Sequence, residues 1–270
     1  MTRILRTTLL LLLTAAPAAP VVAQTAAMNG PPPVLWIQRE LVKPGKAPAH
    51  NDWEAGWPAA FAKAGWPTTY IAMNAVSGIN EAWFLIGYPS FDAMEKDIAN
   101  TDANAPLSAE MKRLGAGESE YVETTRGVLA QYVPSLSYKP GTDLPKMRYF
   151  EVLTYTMKPG HEGDFAKAAS LYRDGYTKAA IDQNWAVYRV TSGLPSGTFL
   201  VFVPLRSLST LDKSVSEGEA MGRALGPQQM NALNKLVLDG VANYQSQVFA
   251  FNPKMSYVSK EMKAADPFWR

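Results

Sequence analysis

The sequence has 270 residues, of which 47% are hydrophobic and 19% are charged, so it is long and apolar enough to fold around a sizeable core. Its formal net charge is +2, and loss of the two arginines near the N terminus would leave +2 − 2 = 0, which gives no electrostatic reason to bind nucleic acid or anionic lipid. It contains no cysteine, which excludes disulfides, zinc–thiolate sites, cysteine nucleophiles and c-type haem attachment.

The first residues have the pattern of a secretory signal peptide. Two arginines precede a short apolar run rich in leucine, and Val21–Ala23 supplies compact residues before a cleavage site at Gln24. A membrane anchor is the alternative, but prolines interrupt the apolar run and a span needs about 20 apolar residues. We therefore predict a leader over 1–23, a flexible segment over 24–33, and a periplasmic or secreted mature chain without stable membrane insertion.

The first half of the remaining chain alternates between strand and helix patterns. A strand over 34–42 ends at a Lys-Pro-Gly turn, and strands over 68–76 and 81–88 form a hairpin. Between them, apolar residues recur at helical spacing, and a proline among them predicts a kink or a late start; these residues are Trp53, Trp57, Phe61 and Ala64. Two helical stretches and a last strand over about 128–138 complete this half.

The second half repeats this order. The Lys-Pro-Gly turn recurs, with Pro44 and Pro159 separated by 159 − 44 = 115 residues, and Gly78 and Gly193 are separated by the same offset. Towards the ends of the two halves the offset grows to 119, because Pro-Ser-Leu-Ser-Tyr over 134–138 matches Pro-Lys-Met-Ser-Tyr. Matched landmarks in the same order indicate an internal repeat.

Each repeat has the β-α-β-β-α-β order of a ferredoxin-like unit, which belongs to the α+β class. Helices cover one face of its sheet, so the other face must be buried against a second layer. Two copies in one chain can bury these faces against each other and form an intramolecular α/β barrel. We predict repeats over 34–140 and 147–258 and a C-terminal tail over 259–270.

In element order over 34–258 the chain resembles the dimeric α/β-barrel superfamily, which includes antibiotic-biosynthesis-type monooxygenases and the EthD-like and NIPSNAP-like proteins. The Trp-Ile-Gln-Arg-Glu opening and the Phe-Trp-Arg end also resemble uncharacterised secreted bacterial proteins. The superfamily resemblance implies a ligand pocket between the sheet and its first helix, or inside the barrel.

Polar residues on the predicted strands are the candidates for that pocket. On the first strand one face carries Trp36, Gln38 and Glu40, and we predict that this face lines the barrel interior. The predicted ligand-binding residues, taken from this face, its counterpart in the second half and the hairpins, are Trp36, Gln38, Asn74, Trp83, Tyr155 and Arg189.

Glu40 and His50 are the predicted catalytic residues. A carboxyl group in an apolar cavity has a raised pKa and can act as a general base near neutral pH. The alternatives for Glu40 are an ion pair with an arginine such as Arg189, or a position at the barrel rim in water.

The two histidines leave further alternatives open. His50 and Glu54 form an i, i+4 pair that could offer two metal ligands, but two ligands do not complete a site, so we predict no metal. His50 could instead flank the helix start. His161 follows the second Lys-Pro-Gly turn and is predicted to have a local structural role, with haem ligation as the alternative.

Together these features predict an exported small-molecule-binding tandem barrel. The resemblance implies a monooxygenase-like enzyme that works without a cofactor on a small hydrophobic ligand. The alternative is a non-enzymatic binding or interaction module of the cell envelope with a filled barrel. Whether the chain is an enzyme, and whether it is a monomer or a homodimer, is left open by the sequence.

Overall fold

The computed structural model describes residues 30–270, so the predicted leader and most of the predicted flexible segment lie outside the described residues. The first half contains β1 (Val34–Val42), α1 (Ala47–Glu54), α2 (Gly56–Ala64), β2 (Tyr70–Ala75), β3 (Glu81–Tyr88), α3 (Phe91–Ala103), α4 (Ala105–Glu118) and β4 (Val122–Tyr132). The second half contains β5 (Tyr149–Met157), α5 (Glu162–Lys178), β6 (Ala186–Ser192), β7 (Thr198–Leu205), α6 (Ser214–Gly240) and β8 (Val241–Phe251), and α7 (Lys260–Ala265) follows.

The eight strands form one closed antiparallel barrel in the order β1-β3-β2-β8-β5-β7-β6-β4. Each half contributes four neighbouring strands, and the halves meet at two seams, where β2 pairs with β8 and β4 pairs with β6. The apolar faces of the two four-stranded sheets are thereby buried against each other. The predicted α+β class and the tandem ferredoxin-like barrel within one chain are confirmed.

Strand pairing fixes the correspondence between the halves. Val42 lies opposite Val122 at the end of β1, and Met157 lies opposite Val241 at the end of β5, which gives an offset of 241 − 122 = 119 for the last strands. Strand β4 starts at Val122, earlier than the start near 128 that the sequence pattern predicts. The first residues of β4 are mostly exposed and polar, so they lack the apolar alternation by which a strand is recognised.

The predicted apolar stripe of the first helix is also present, but it lies on two helices. α1 ends at Glu54, and α2 begins at Gly56 with Pro58 in its first turn, where a proline is tolerated. The four stripe residues from Trp53 to Ala64 pack against Leu107 and Leu114 of α4. This packing holds α1, α2 and α4 together over the outer face of the barrel.

The barrel interior is filled by side chains. Its core includes Leu35 and Ile37 of β1 together with large apolar residues of the other strands, among them Met73, Trp83, Val128, Phe150, Leu200, Phe202 and Phe249. The prediction that Gln38 and Glu40 face the interior is therefore wrong: their face of β1 lies outside, beneath the helices. Both faces of β1 are largely buried, so alternation alone does not identify the interior face.

The segment predicted as a C-terminal tail packs against the barrel. Trp269 is buried, packs on Phe251 and donates its indole N–H to the carbonyl oxygen of Pro145 at 2.9 Å. Asp266 anchors the segment by accepting a hydrogen bond of 2.8 Å from Arg148. Within residues 30–270, no helix combines the length and the apolar character needed to cross a bilayer.

Candidate functional site

Four ionisable side chains of the first half meet between the outer face of the barrel and the helices that cover it. Glu40 comes from β1, His50 and Glu54 come from successive turns of α1, and Glu118 comes from the end of α4. We call these four residues the Glu40 cluster. The Lys-Pro-Gly turn after β1 sends α1 back across that strand, which brings the i, i+4 pair of α1 over Glu40.

The centre of the cluster is shielded from solvent. The exposed fractions of Glu40, His50 and Glu54 are 0%, 1% and 2%. His50 Nε2 lies 2.9 Å from Glu40 Oε2, and Gln38 Nε2 donates a hydrogen bond of 2.7 Å to Glu40 Oε1. One ligand atom each from Glu40, His50 and Glu54 lies within 4.8 Å of the others.

Three buried oxygen atoms in this region have no hydrogen-bond partner among residues 30–270. They are Glu54 Oε1, Glu118 Oε1 and the hydroxyl of Tyr70 on β2. The charges of Glu54 and Glu40 contribute to raising the pKa of Tyr70, after burial as the main cause. A buried polar atom without a hydrogen-bond partner lowers the free energy of unfolding by about 1–3 kcal/mol, so each of these atoms destabilises the fold.

Burial also dominates the titration of the cluster. It raises the pKa of Glu54 to about 9, with the charges of Glu40 and Glu118 adding to the effect. Burial and the hydrogen bond with Glu40 raise the pKa of Glu118 to about 8. Burial raises the pKa of Glu40 against opposing hydrogen bonds from Glu118 and Gln38, and it lowers the pKa of His50. At neutral pH Glu54 and Glu118 are therefore mainly protonated and His50 is mainly neutral.

The second half has the same scaffold without this chemistry. At an offset of 115, Glu40 corresponds to Tyr155 and His50 to Phe165, whose rings pack at 5.5 Å. Phe165 also stacks on Phe199 at 4.1 Å, where the first half has the small Ala82 opposite Glu40.

The other two residues of the Glu40 cluster also correspond to residues without an ionisable group. Glu54 corresponds to Ala169 at the offset of 115, and Glu118 corresponds to Val237 at the offset of 119 that strand pairing gives for the last strands. Apolar side chains thus satisfy the fold at all four positions in the second half. The polar groups of the first half are not needed to form the unit.

The structure brings together part of the predicted site. Gln38, Glu40 and His50 are in direct contact, and Trp36 lies on the same face of β1. Asn74 donates a hydrogen bond of 3.0 Å to Asn51, the neighbour of His50. The roles proposed for these residues stay predictions.

The other predicted residues lie elsewhere. Trp83 is inside the barrel, where it donates to Glu81 at 2.7 Å, and Tyr155 lies in the second half. Arg189 is exposed, and the proposed pair with Glu40 is not formed, since Glu40 contacts Gln38 and His50 instead. His161 hydrogen-bonds Asp164 within the first turn of α5 at 2.8 Å, in agreement with a local role.

Sequence reasoning missed Glu118 and Tyr70 and set Glu54 aside. Glu118 is 118 − 40 = 78 residues from Glu40 and belongs to a Gly-Ala-Gly-Glu segment that has no recognisable motif. The available signal was the internal repeat: a comparison of the halves, position by position, singles out acidic residues whose counterparts are alanine and valine.

Two surface clefts lie near the helices. A cleft of about 260 Å³ is lined by Trp57, Thr101, Asp102, Ser108, Met111 and Lys112, and Trp57 is three residues from Glu54. A second cleft of about 580 Å³ is lined in part by Gln131, Tyr132, Glu162, Arg189 and Phe199, so it contains the predicted Arg189.

Comparison with known proteins gives a match in fold. No family model and no curated protein matches the sequence. A proposed monooxygenase from Fusobacterium nucleatum has a similar structure, with a TM-score of 0.52 and 12% identity over 82% of this chain and 93% of that chain. This similarity confirms the barrel fold that the sequence resemblance implied.

Two further structures are similar over most of their length. A proposed monooxygenase from Lactobacillus acidophilus has a TM-score of 0.48 and 7% identity over 81% of this chain and 93% of that chain. A chlorite dismutase mutant from Candidatus Nitrospira defluvii, in complex with cyanide, has a TM-score of 0.47 and 9% identity over 88% of this chain and 96% of that chain.

Proposed function

We propose that the chain is an exported small-molecule-binding protein and a monooxygenase-like enzyme, and that the Glu40 cluster is its chemical centre. The observation that carries this proposal is the difference between the halves. The same scaffold is packed with apolar side chains in one half and with three carboxyl groups and an imidazole in the other. Buried polar groups that lower stability where apolar packing would suffice are typical of functional sites.

Two other carboxyl groups that are shielded from solvent, half-buried Asp97 and buried Glu81, are bonded in the way that a structural role requires. Asp97 accepts hydrogen bonds from Trp66, Thr68 and Tyr88 at 3.0, 2.6 and 3.1 Å. Glu81 pairs with Arg39 at 2.8 Å. Glu54 and Glu118 each have a buried oxygen without a partner in the part of the chain that the structure describes, which distinguishes them from Asp97 and Glu81.

The cleft beside Trp57 is the proposed entrance for the small molecule. It lies on the helical side of the cluster, and its volume of about 260 Å³ suits a compact ligand. Binding pockets usually combine aromatic or apolar walls with a few polar groups, and this cleft has Trp57 and Met111 beside Asp102 and Lys112. A small electron-rich molecule would meet aromatic contacts there before it approached the carboxyl groups.

Oxygen uptake tests the enzymatic part of the proposal. We expect the mature chain to consume oxygen with at least one member of a panel of phenols and hydroquinones, and Glu40→Gln to lower the rate by about 100-fold or more, as loss of a positioned reactive side chain does. Glu95→Gln, at an exposed position of α3, is the matched control and should keep the rate. Equal rates in wild type and Glu40→Gln would contradict the role of the cluster.

Export is tested by the mass of the native protein. The sequence of the first residues supports cleavage after Ala23, so we expect the protein recovered from the envelope or medium of its own cells to begin at Gln24. Intact mass spectrometry of the fractionated cells measures this directly. A chain that still carries residues 1–23 and stays with the cytoplasm would contradict export.

A non-enzymatic envelope module is the second candidate. The filled barrel interior favours it, because the largest enclosed space that this fold could offer is occupied by side chains such as Trp83 and Phe249. Native mass spectrometry with the same panel separates the candidates. A panel member retained by wild type but lost in Glu40→Gln supports the enzyme, whereas no retention together with no oxygen uptake supports the module.

A further inference from the structure

We infer that Glu40, His50 and Glu54 bind one divalent transition-metal ion, with the carboxyl group of Glu118 beside these ligands. The inference rests on the proposed function, because it names the cofactor of the same site. It replaces the cofactor-independent form of the enzyme that the sequence resemblance implied. It also reverses the sequence-based prediction of no metal, since β1 supplies the third ligand that the His50–Glu54 pair lacked.

The geometry is close to that of a coordination shell. Ligand atoms of a bound transition metal lie about 2.0–2.2 Å from the ion, so two ligand atoms on opposite sides are about 4.4 Å apart at most. The three ligand atoms here lie within 4.8 Å of one another, which is close to that limit. The ligands come from β1 and α1, two elements held in place by the barrel and by the packing of α1 and α2 on α4.

The carboxyl groups of the cluster lack a cationic partner within residues 30–270. Glu54 Oε1 is buried and has no hydrogen-bond partner among residues 30–270, although Glu54 is only 2% exposed. Within residues 30–270, no lysine or arginine forms a salt bridge with Glu40, Glu54 or Glu118, and the nearest basic group to Glu40 is the imidazole of His50, at 2.9 Å. The buried hydroxyl of Tyr70 is a further unpartnered oxygen near the same carboxyl groups. An ion at the cluster would give the unpartnered oxygen of Glu54 the partner that residues 30–270 do not supply.

The ligand set selects the class of ion. One imidazole with two carboxylates suits Mn²⁺, Fe²⁺ or Zn²⁺, whereas Ca²⁺ and Mg²⁺ prefer oxygen ligands alone and Cu⁺ prefers sulfur. Gln38 acts behind the ligands, because its amide donates to Glu40 and fixes the orientation of that carboxylate. The neighbouring Asn51–Asn74 hydrogen bond tethers the helix that carries His50 to β2.

Titration with the metal alone tests the inference. The full mature chain is stripped with EDTA and dialysed, and isothermal titration with Mn²⁺ and with Zn²⁺ should give one site per chain, together with a rise in the unfolding midpoint. His50→Phe introduces the residue of the second half, and we expect it to weaken binding by more than about 100-fold, since loss of a supporting residue alone costs 10–100-fold. Circular dichroism establishes that the variant is folded.

His161 provides a matched control. It also contacts a carboxylate, Asp164, at 2.8 Å, but that pair is on the surface. His161→Phe should therefore keep wild-type affinity and stoichiometry. Binding that is absent from wild type, or that falls equally in both histidine variants, would overturn the inference. If Glu54→Leu, as a second ligand variant, binds metal as wild type does, the inference is also overturned.

The outcomes separate this inference from the proposed function. If no metal binds but Glu40→Gln abolishes oxygen uptake, the cluster is reactive without an ion, and only the metal inference fails. If one ion binds at the cluster but no panel molecule is retained or oxidised, the metal inference holds and the proposed enzymatic function fails.

Discussion

Replacement of Glu54 by leucine is expected to stabilise the metal-free chain. The substitution removes a buried carboxyl oxygen that has no partner among residues 30–270, which costs about 1–3 kcal/mol, and it introduces a slightly shorter apolar side chain. The corresponding residue in the second half, Ala169, is also buried and apolar. A stabilisation of that size should raise the unfolding midpoint by roughly 3–10 °C, measured by scanning calorimetry in EDTA.

The control for this prediction is Glu95→Leu. Glu95 is exposed on α3, so the same substitution there changes helix propensity and surface polarity but removes no buried group. Its expected effect is within about 0.5 kcal/mol, as for most surface substitutions. A lower midpoint for Glu54→Leu than for wild type in EDTA would mean that the carboxyl group makes stabilising contacts, and the argument for a functional origin of the cluster would lose its main support.

The same substitution should remove metal binding. We expect the variant to be more stable than wild type without the ion and to gain no stability when the ion is added. This is the behaviour of a binding site whose ligands lower the stability of the metal-free fold. Structural carboxylates behave in the opposite way. Replacement of Asp97, which has three donors, should destabilise the chain, because these partly buried donors would be left unpaired.

Much of the architecture could be predicted from the sequence because the two halves of the chain repeat the same pattern of elements. The repeated Lys-Pro-Gly turns, the paired glycines at 78 and 193 and the hairpin patterns locate the elements of both halves. A ferredoxin-like unit leaves one sheet face uncovered, so two copies predict a closed barrel without any knowledge of long-range contacts. Strand β1 was predicted with the bounds that the structure has.

The candidate site could be predicted only in part, for two physical reasons. First, β1 is buried on both faces, so its alternation does not tell which face meets the barrel interior and which meets the helices. Secondly, a site between layers collects residues that are distant in sequence. Glu118 reaches Glu40 only because α4 packs on α1 and α2, a contact that local patterns do not encode.

The largest loss of stability is expected for Gly193→Ala, at the seam where the two halves join. Gly193 follows β6 and has φ = 93°, a conformation that costs other residues about 1–2 kcal/mol. In addition, a Cβ atom at this position would collide with the carbonyl oxygen of Gly127 and lie 2.9 Å from Cα of Val128, both on β4. These are backbone atoms, so they cannot move without disturbing the pairing of β4 with β6.

Gly160→Ala separates the cost of the positive φ angle from the cost of the collision with β4. Gly160 has φ = 85°, nearly the same conformation, but a Cβ atom there would have no neighbour within 4 Å. Its replacement should cost only the conformational part, about 1–2 kcal/mol, whereas Gly193→Ala adds an overpacking term of about 1–3 kcal/mol. Equilibrium unfolding in urea measures both variants against wild type. Equal losses would mean that the β4–β6 seam yields to the added methyl group, and that the two halves are joined less tightly than the closed barrel requires.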